Sequence, residues 1–289
     1  MARLLYIQPV RIEDDCVPGR GIAEHARPGN AIDVIAFARG PRHLEYHYYE
    51  TLVLPDILHT IVAADADGYD AAVIGCFYDL GLQEGRELAE RIVVTAPCES
   101  SILLAASLGS TFSIIVGRRK WIPQMRDTVE RYGLGARLAS FRVLDLGVLD
   151  YHADEAETAR RFEAAGRRAI DEDGAEVVVL GCTASAGFYA ELQERLGVPV
   201  IDSAIAALKH AEQLVELRER FGWRASKIGG YEAPPRSEVE GWALREQYGH
   251  DDVRRIWRIA RAADDAARPT TAQAALANTR MLDAAAAAW

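Results

Sequence analysis

Two cysteines occupy matching places along the chain. Cys76 follows the apolar run Ala71–Ile74, and Cys182 follows the apolar run Val177–Leu180, each with a single glycine between the run and the thiol. Inverting a C–H stereocentre by removing and returning one proton requires a base on one face and an acid of matched pKa on the other. A free thiol has a pKa of about 8.5, so both of its forms are accessible near working pH. The residue pair therefore suggests proton transfer between a thiolate and a thiol.

The segments around these cysteines predict strand-to-helix turns. Short runs rich in β-branched residues are typical of strands buried on both faces of a parallel sheet, and helical spacing resumes at residues 83–91 and 188–196. Open α/β sheets bind ligands at such turns, and a helix N-terminus beside a thiol favours the thiolate. We therefore predict that Cys76 and Cys182 are catalytic and exchange the roles of base and acid with the handedness of the substrate.

The rest of the chain supplies the elements that must hold these turns. Apolar runs alternate with helical patterns, which predicts an α/β fold with mainly parallel sheets. The predicted strands are residues 4–7, 31–36, 71–74, 112–116, 141–146 and 177–180. Because each Gly-Cys turn follows the third strand of its half, we predict two pseudo-symmetric lobes, each with a mainly parallel sheet flanked by helices. The active site is then expected in the cleft between the lobes.

The change in pattern along the chain predicts three regions. The first lobe comprises residues 1–110 together with a returning helix at 203–221, and the second lobe comprises residues 111–202. Residues 222–289 have arginine- and alanine-rich stretches with helical spacing and are predicted to form a helical C-terminal extension. Its tryptophans are costly to leave in water, so we expect them to pack against a lobe or a neighbouring subunit of a homo-oligomer.

Composition excludes several classes of partner. The chain has 289 residues, 49% of them hydrophobic, and no run approaches the ~18 to 20 apolar residues of a membrane span. Its formal charge of −10 gives no electrostatic reason to bind nucleic acid or an anionic membrane. The N-terminal apolar run lacks a small-residue cleavage site and is interpreted as a first strand. We therefore predict a soluble, cytoplasmic protein that acts on a small molecule.

Neither a metal site nor a disulfide framework is predicted. The four cysteines, Cys16, Cys76, Cys98 and Cys182, lack CxxC spacing, which favours reduced thiols. We interpret Cys16 and Cys98 as structural, because a lone buried thiol usually packs as a small hydrophobe. His43 and His47 lie four residues apart with Glu50 beyond, so one helix face could present both imidazoles to a metal. The HExxH pattern is absent, and we favour a solvated helix there.

Three segments carry a resemblance to a known family. GCFYDLGLQEGREL, GCTASAG and GVPVIDSAIAALKHAEQLV, within residues 45–220, resemble the hydantoin and allantoin racemases of the aspartate/glutamate racemase superfamily. The resemblance implies two pseudo-symmetric α/β lobes and two catalytic cysteines that move a proton without a cofactor. It places these two bases at Cys76 and Cys182.

Further residues are assigned to substrate binding. Backbone amides of Phe77, Tyr78 and Thr183, in the turns after the cysteines, are predicted to hold a developing oxyanion. Gln8 lies in a segment reading IQPV, where the resembling racemases carry an asparagine-rich turn after the first strand. We therefore include Gln8 among the residues expected to contact the substrate.

Three functions remain open at this point. The first is a cofactor-independent racemase or epimerase of a hydantoin-like or related carbonyl compound. The second is another reaction of the same superfamily, either a maleate-type cis-trans isomerisation or an arylmalonate-type decarboxylation. The third is a non-catalytic, two-lobed protein that binds a small ligand, although such a protein has no need of paired thiols.

Overall fold

A computed structural model of the chain describes residues 1–12, 21–248 and 254–259. The chain forms two compact units. The first contains Met1–Gly75, Leu80–Thr95 and the chain from Leu208 onward, and the second contains Cys76–Asp79 and Ala96–Ala207. The domain boundaries predicted at residues 110, 203 and 221 stay a prediction.

Strands and helices alternate through most of the described residues. The strands are β1 (Arg3–Arg11), β2 (Ala31–Phe37), β3 (Ala71–Ile74), β4 (Val93–Thr95), β5 (Phe112–Val116), β6 (Leu138–Val143), β7 (Val177–Leu180), β8 (Val200–Asp202) and β9 (Arg254–Ile259). The helices are α1 (His47–Ala66), α2 (Leu82–Leu88), α3 (Pro97–Leu108), α4 (Ile122–Arg131), α5 (Glu155–Asp171), α6 (Tyr189–Leu196), α7 (Ser203–Phe221), α8 (Arg236–Gly241) and α9 (Leu244–Tyr248).

The two sheets repeat one strand order. The first unit holds β4-β3-β1-β2-β9, and the second holds β6-β5-β7-β8, which reads β8-β7-β5-β6 from its other edge. All neighbouring strands are parallel except β9, which runs antiparallel to β2. Strands β3 and β7 therefore occupy equivalent places, each between a central strand and a three-residue edge strand. The predicted α/β architecture with two mainly parallel sheets is confirmed.

Continuous apolar runs explain why the inner strands form where they do. Every residue of β3, β5 and β7 is buried, as expected for strands covered on both faces. In the second unit, β5 and β7 join α3, α5 and α6 in one hydrophobic core that includes Phe112, Phe162 and Val179. The sheet positions of the residues that follow β3 and β7 are thus held by close packing.

The strand predicted at 141–146 needed correction at its limits, and two short strands were not predicted. The run predicted at 141–146 forms β6 three residues earlier, at Leu138–Val143. Leu144 and Leu146 still donate backbone hydrogen bonds to Val116 and Gly117, but Asp145 adopts a left-handed backbone with φ 55°, which ends the regular strand. The three-residue strands β4 and β8 were not predicted, because so short a run carries no periodic signal.

The helix that starts at Ser203 is capped by the residue before it. Asp202 accepts hydrogen bonds from the backbone N–H groups of Ala204 and Ile205 through one carboxylate oxygen, at 2.9 and 3.2 Å. This is the usual way in which an aspartate satisfies the first donors of a helix. The helix continues to Phe221, so the predicted returning helix is present.

The extension after residue 221 contains helix, as predicted, and a strand that was not. Its described part includes α8, α9 and β9. Lys227 donates hydrogen bonds to the carbonyls of Arg86 and Glu87, at 2.6 and 2.8 Å, and so holds the extension to the last turn of α2. Trp223 and Trp242 are 65% and 59% exposed, so neither is buried against a lobe of this chain, and their packing against a neighbouring subunit stays a prediction. Trp289 lies outside the described residues.

No helix in the described ranges is both long enough and apolar enough to cross a membrane.

Candidate active site

Each cysteine is preceded by a glycine that no other residue can replace without a clash. Gly75 donates its N–H to the carbonyl of Ile7, and Gly181 donates its N–H to the carbonyl of Ile115, both at 2.8 Å. A Cβ on Gly75 would lie 2.8 Å from the Ile7 oxygen, and one on Gly181 would lie 2.9 Å from the Ile115 oxygen. Both glycines are therefore required because the backbone of the neighbouring strand comes too close for a side chain.

Each cysteine then opens a tight turn. The backbone N–H of Asp79 donates to the Cys76 carbonyl at 3.0 Å, and that of Ser185 donates to the Cys182 carbonyl at 3.1 Å. We call residues 76–79 the first cysteine turn and residues 182–185 the second cysteine turn. The next helices, α2 and α6, begin only after these turns, at Leu82 and Tyr189. Neither thiol is therefore placed directly at the N-terminus of the helix that follows it.

Both cysteine turns belong to the second compact unit and meet its hydrophobic core. Phe77 is a buried member of that core at 4% exposure, and Tyr78 and Cys182 pack against it. Cys76 is buried at 9% exposure, whereas Cys182 is half-buried, and neither is part of a disulfide. Thr183 begins the short 3-10 turn of the second cysteine turn and is half-buried.

The last residue of the first cysteine turn carries a buried carboxylate. Asp79 is 8% exposed and accepts hydrogen bonds from the backbone N–H groups of Cys98 and Glu99 at 2.7 and 2.8 Å. A third hydrogen bond comes from the phenol of Tyr132 at 2.7 Å. Burial raises the pKa of Asp79 to about 7, and these three donors oppose the rise. Burial, followed by the charge of Asp79, also raises the pKa of Tyr132, so its phenol stays protonated and remains a donor.

The second cysteine turn is held by different groups. The hydroxyl of Ser185 donates to the carbonyl of Cys182. The imidazole of His152 contacts the carbonyl of Ala184 through Nε2 and the carboxylate of Glu155 through Nδ1, both at 2.9 Å. Because a carbonyl only accepts, Nε2 carries a hydrogen here. The same ring stacks on Phe188, with centroids 5.4 Å apart.

Comparison with known proteins gives the family. Residues 20–211 match the family model described as Asp/Glu/Hydantoin racemase. The chain belongs to this racemase family. It is 35% identical to the hydantoin racemase of Pseudomonas sp. strain NS671 over 228 residues, which cover 79% of this chain and 89% of that protein. It is 36% identical to the hydantoin racemase of Paenarthrobacter aurescens over 207 residues, covering 71% and 86% of the two chains.

Solved structures agree with this assignment. The allantoin racemase of Klebsiella pneumoniae superposes with a TM-score of 0.74 at 30% identity, covering 82% of this chain and 95% of that one. A variant of arylmalonate decarboxylase superposes with a TM-score of 0.58 at 17% identity, which shows a shared fold alone. The chain is therefore an isomerase of the racemase class, and the predicted family resemblance is confirmed.

The structure also places the other residues singled out in the sequence. Gln8 is half-buried on β1 of the first unit, paired with Ala36 of β2. Cys98 is fully buried in α3. Burial raises the pKa of its thiol well above the ordinary value, so Cys98 stays protonated. Cys16 lies outside the described residues.

The two histidines considered for a metal do not share a helix face. Helix α1 begins at His47, so His43 precedes it and the shared helix face considered for a metal does not form. His47 is 70% exposed with Nδ1 at 3.5 Å from Glu50, and His43 contacts Glu45. Among the residues that the structure describes, no group of three or more His, Cys, Asp or Glu side chains is arranged to hold a metal ion.

Sequence reasoning missed the residues that fix the two cysteine turns. Asp79 stands three positions after Cys76, and an aspartate in a turn is a recognisable signal for a helix cap, although it caps a helix that is distant in sequence. Tyr132 and His152 carry no local signal, because their contacts with the turns are visible only once the chain has folded.

Proposed function

We propose that this racemase inverts the stereocentre of a hydantoin-like compound by direct proton transfer between two cysteines, without a cofactor. The observation that supports this most is the repeated construction of the two cysteine turns. Each follows an equivalent strand of a sheet with the same order, each has a glycine against the neighbouring carbonyl, and each is closed by one backbone hydrogen bond. A turn that is repeated after equivalent strands, with a thiol in both copies, suits a reaction that needs two matched proton carriers.

The chemistry of the hydantoin ring explains why two cysteines and a few hydrogen-bond donors are sufficient for this reaction. In a 5-substituted hydantoin, the C5–H bond lies between the C4 carbonyl and a ring nitrogen. Removing the C5 proton leaves a carbanion that is delocalised as an enolate on the C4 oxygen. The reaction therefore needs a base, an acid and donors for the enolate oxygen, all of which a protein can supply.

Cys76 and Cys182 have symmetrical roles in this proposal. One thiolate removes the C5 proton and becomes a thiol, while the other thiol delivers its proton to the opposite face and becomes a thiolate. The product then has inverted configuration, and the two cysteines have exchanged protonation states. The opposite enantiomer of the substrate reacts with enzyme in which the protonation states of the two cysteines are reversed. Backbone amides of Phe77, Tyr78 and Thr183 are proposed to stabilise the enolate oxygen, with Gln8 assigned to substrate contact.

The substrate class follows from the names of the relatives. Two relatives are hydantoin racemases and one structural neighbour is an allantoin racemase. Allantoin is itself a hydantoin that carries a ureido group at C5, so the shared element is the five-membered ring. We propose a 5-substituted hydantoin as the substrate, with the C5 substituent as the variable part.

Solvent deuterium gives the most direct test. Separate single enantiomers of a 5-alkyl hydantoin, a 5-benzyl hydantoin and allantoin are incubated with enzyme in D2O and followed by chiral chromatography and mass spectrometry. The proposal expects inversion with one deuterium incorporated at C5 of the product. Release of CO2 from an arylmalonate or conversion of maleate to fumarate, without hydantoin exchange, would favour the other reactions of the superfamily. Ligand binding with neither exchange nor turnover would favour a binding protein.

A further inference from the structure

Asp79 is a buried titratable group that the proton transfer itself does not use. Its carboxylate receives the two backbone N–H groups of Cys98 and Glu99 and the hydroxyl of Tyr132. All three partners belong to the same compact unit as the first cysteine turn. Because all three are donors, they match a carboxylate that only accepts.

The two backbone contacts show that Asp79 completes the start of α3. The residue at the N-cap of this helix is Ala96, whose side chain makes no capping hydrogen bond, and the first helical residue is Pro97, which has no N–H. The next two N–H groups need an acceptor, and Asp79 supplies one for each from a distant part of the chain. Helix α3 is therefore joined to the first cysteine turn through one side chain.

The backbone of Asp79 links α3 to Cys76. Its N–H closes the turn on the Cys76 carbonyl at 3.0 Å, and its φ of 54° lies in the left-handed region. That conformation is unfavourable for residues with a Cβ, although Asp and Asn tolerate it best. A side chain anchored at three points is what holds the backbone there, so displacement of the carboxylate also displaces the closing residue of the turn.

The charges around Asp79 make this anchor sensitive to protonation. Glu99 is the nearby like charge and Tyr132 the hydrogen-bonded phenol. The Cys98 thiol interacts electrostatically with Asp79 and Glu99 and with the cation Arg131. A protonated Asp79 would place an O–H against one of three donors and lose that hydrogen bond.

We infer that Asp79 is a positioning residue for Cys76: it fixes the first cysteine turn to the start of α3, and so sets the position of one of the two proton carriers. This inference rests on the proposed catalytic role of Cys76. Asp79 acts through the turn and is assigned no contact with substrate.

The test compares Asp79→Asn with Tyr132→Phe. Asparagine tolerates the same backbone but cannot accept from both N–H groups and the phenol, and phenylalanine removes one donor while it keeps the ring. Asp145→Asn is the matched control, because Asp145 has the same left-handed backbone (φ 55°) and is exposed. Iodoacetamide labelling of each cysteine, mapped by mass spectrometry across a range of pH, is measured beside kcat and KM.

A positioning role predicts a selective result. In Asp79→Asn, labelling of Cys76 becomes several-fold faster and its pH profile shifts, while labelling of Cys182 changes by less than about twofold. Turnover kcat falls by about 10- to 100-fold, as expected for a misplaced reacting group, with KM changed by less than about threefold. Tyr132→Phe changes the same quantities in the same direction by a smaller factor, and Asp145→Asn changes neither.

The inference is overturned if both variants lower the melting temperature but leave Cys76 labelling and kcat as in the wild type, since Asp79 would then only cap a helix. It is equally overturned if both cysteines respond alike. Should Asp79→Asn fail to fold, Tyr132→Phe still decides between these outcomes. A wild-type enzyme without hydantoin exchange would contradict the proposed function, whereas the labelling comparison needs no substrate and would still test the positioning of Cys76.

Discussion

The two cysteine turns are built alike up to the thiol and differently after it. Before the thiol, Gly75 and Gly181 press against equivalent carbonyls of the neighbouring strands. After it, the first cysteine turn ends in a buried carboxylate, Asp79, that is joined to the start of α3. The second cysteine turn is held by a serine hydroxyl and by His152, whose side chain is half exposed.

This difference indicates which features the reaction requires in both copies. The glycine and the thiol are common to the two turns, so they belong to the part that a symmetrical proton transfer would use twice. The supports differ because each turn meets a different neighbour, and a buried carboxylate and a solvated imidazole hold their turns with different strength. We therefore expect changes at the shared features to have large effects, and changes at the supports to affect only one cysteine each.

The largest effect is expected from the thiols. Cys76→Ala and Cys182→Ala should each lower racemisation by at least about a thousandfold, because a positioned acid or base contributes roughly 10²–10⁴-fold and inversion needs both. Chiral chromatography measures the rates, and circular dichroism checks the fold. Cys98→Ala is the matched control and should retain activity, since its backbone N–H still binds Asp79. Full activity in either catalytic variant would remove the two-base mechanism.

Serine variants test whether the two thiols act on opposite faces of the substrate. Serine is too weak a base to replace the thiolate, but it can still donate a proton. Cys76→Ser and Cys182→Ser are therefore expected to retain deuterium exchange from opposite enantiomers, one each. Exchange from the same enantiomer in both variants would mean that the two thiols do not act on opposite faces.

The next largest effect concerns stability and pH at Asp79. Its pKa is raised from 3.8 to about 7 by burial, so between these values the folded chain binds more protons than the unfolded chain. The contribution of Asp79 to the free energy of unfolding is therefore completely present below about pH 4. It is lost as the pH rises through about 7. The wild type should lose stability relative to Asp79→Asn across this window, on the order of a few kcal/mol.

Urea unfolding at several pH values measures this difference. Asp145→Asn serves as the control, because the same substitution at an exposed aspartate should leave a constant offset from the wild type. A constant offset for Asp79→Asn as well would show that the buried carboxylate does not titrate in this window.

A smaller effect is expected from filling the space at the two glycines. Gly75→Ala and Gly181→Ala each place a Cβ within 3 Å of a backbone oxygen, and such overpacking costs about 1–3 kcal/mol. The two variants should lose similar stability and should both lose activity, because each displaces its thiol. Gly230→Ala is the control, since its Cβ would meet no atom within 4 Å. Unequal losses, with one glycine variant behaving like the control, would show that the two turns are not equivalent.

What the sequence could predict depended on the length over which each signal extends. The runs that became β3 and β7 are continuous and apolar, the run that became β5 is interrupted only by Ser113, and the predicted limits of all three match the observed strands. The repeated Gly-Cys pattern marked both turns for the same reason. By contrast, β9 is an arginine-containing strand of the extension, and its pairing with β2 comes from tertiary structure that overrides a helical pattern.

Local sequence patterns could not predict the residues that hold the two cysteine turns in place. Asp79 meets α3 and Tyr132 from far along the chain, and His152 reaches the Ala184 carbonyl in the same way. Such contacts depend on which elements pack together, and a single sequence carries no periodic trace of that. The residues that supply chemistry were therefore easier to predict than those that fix their geometry.

The smallest effect is expected at His152. Its Nε2–H donates to the Ala184 carbonyl inside the second cysteine turn, but half of the side chain is exposed, so water can replace part of the interaction. His152→Ala should lower kcat by only about two- to fivefold, which corresponds to the ~0.5–1 kcal/mol net worth of an ordinary hydrogen bond. It should also speed iodoacetamide labelling of Cys182 and leave Cys76 unchanged, the reverse of the pattern expected for Asp79→Asn. Glu155→Ala is the control, because it removes the contact at Nδ1 and keeps the hydrogen bond to Ala184. If His152→Ala slowed turnover as much as loss of a thiol does, His152 would have to act on the substrate itself, and the second cysteine turn would then carry a third proton carrier with no counterpart in the first.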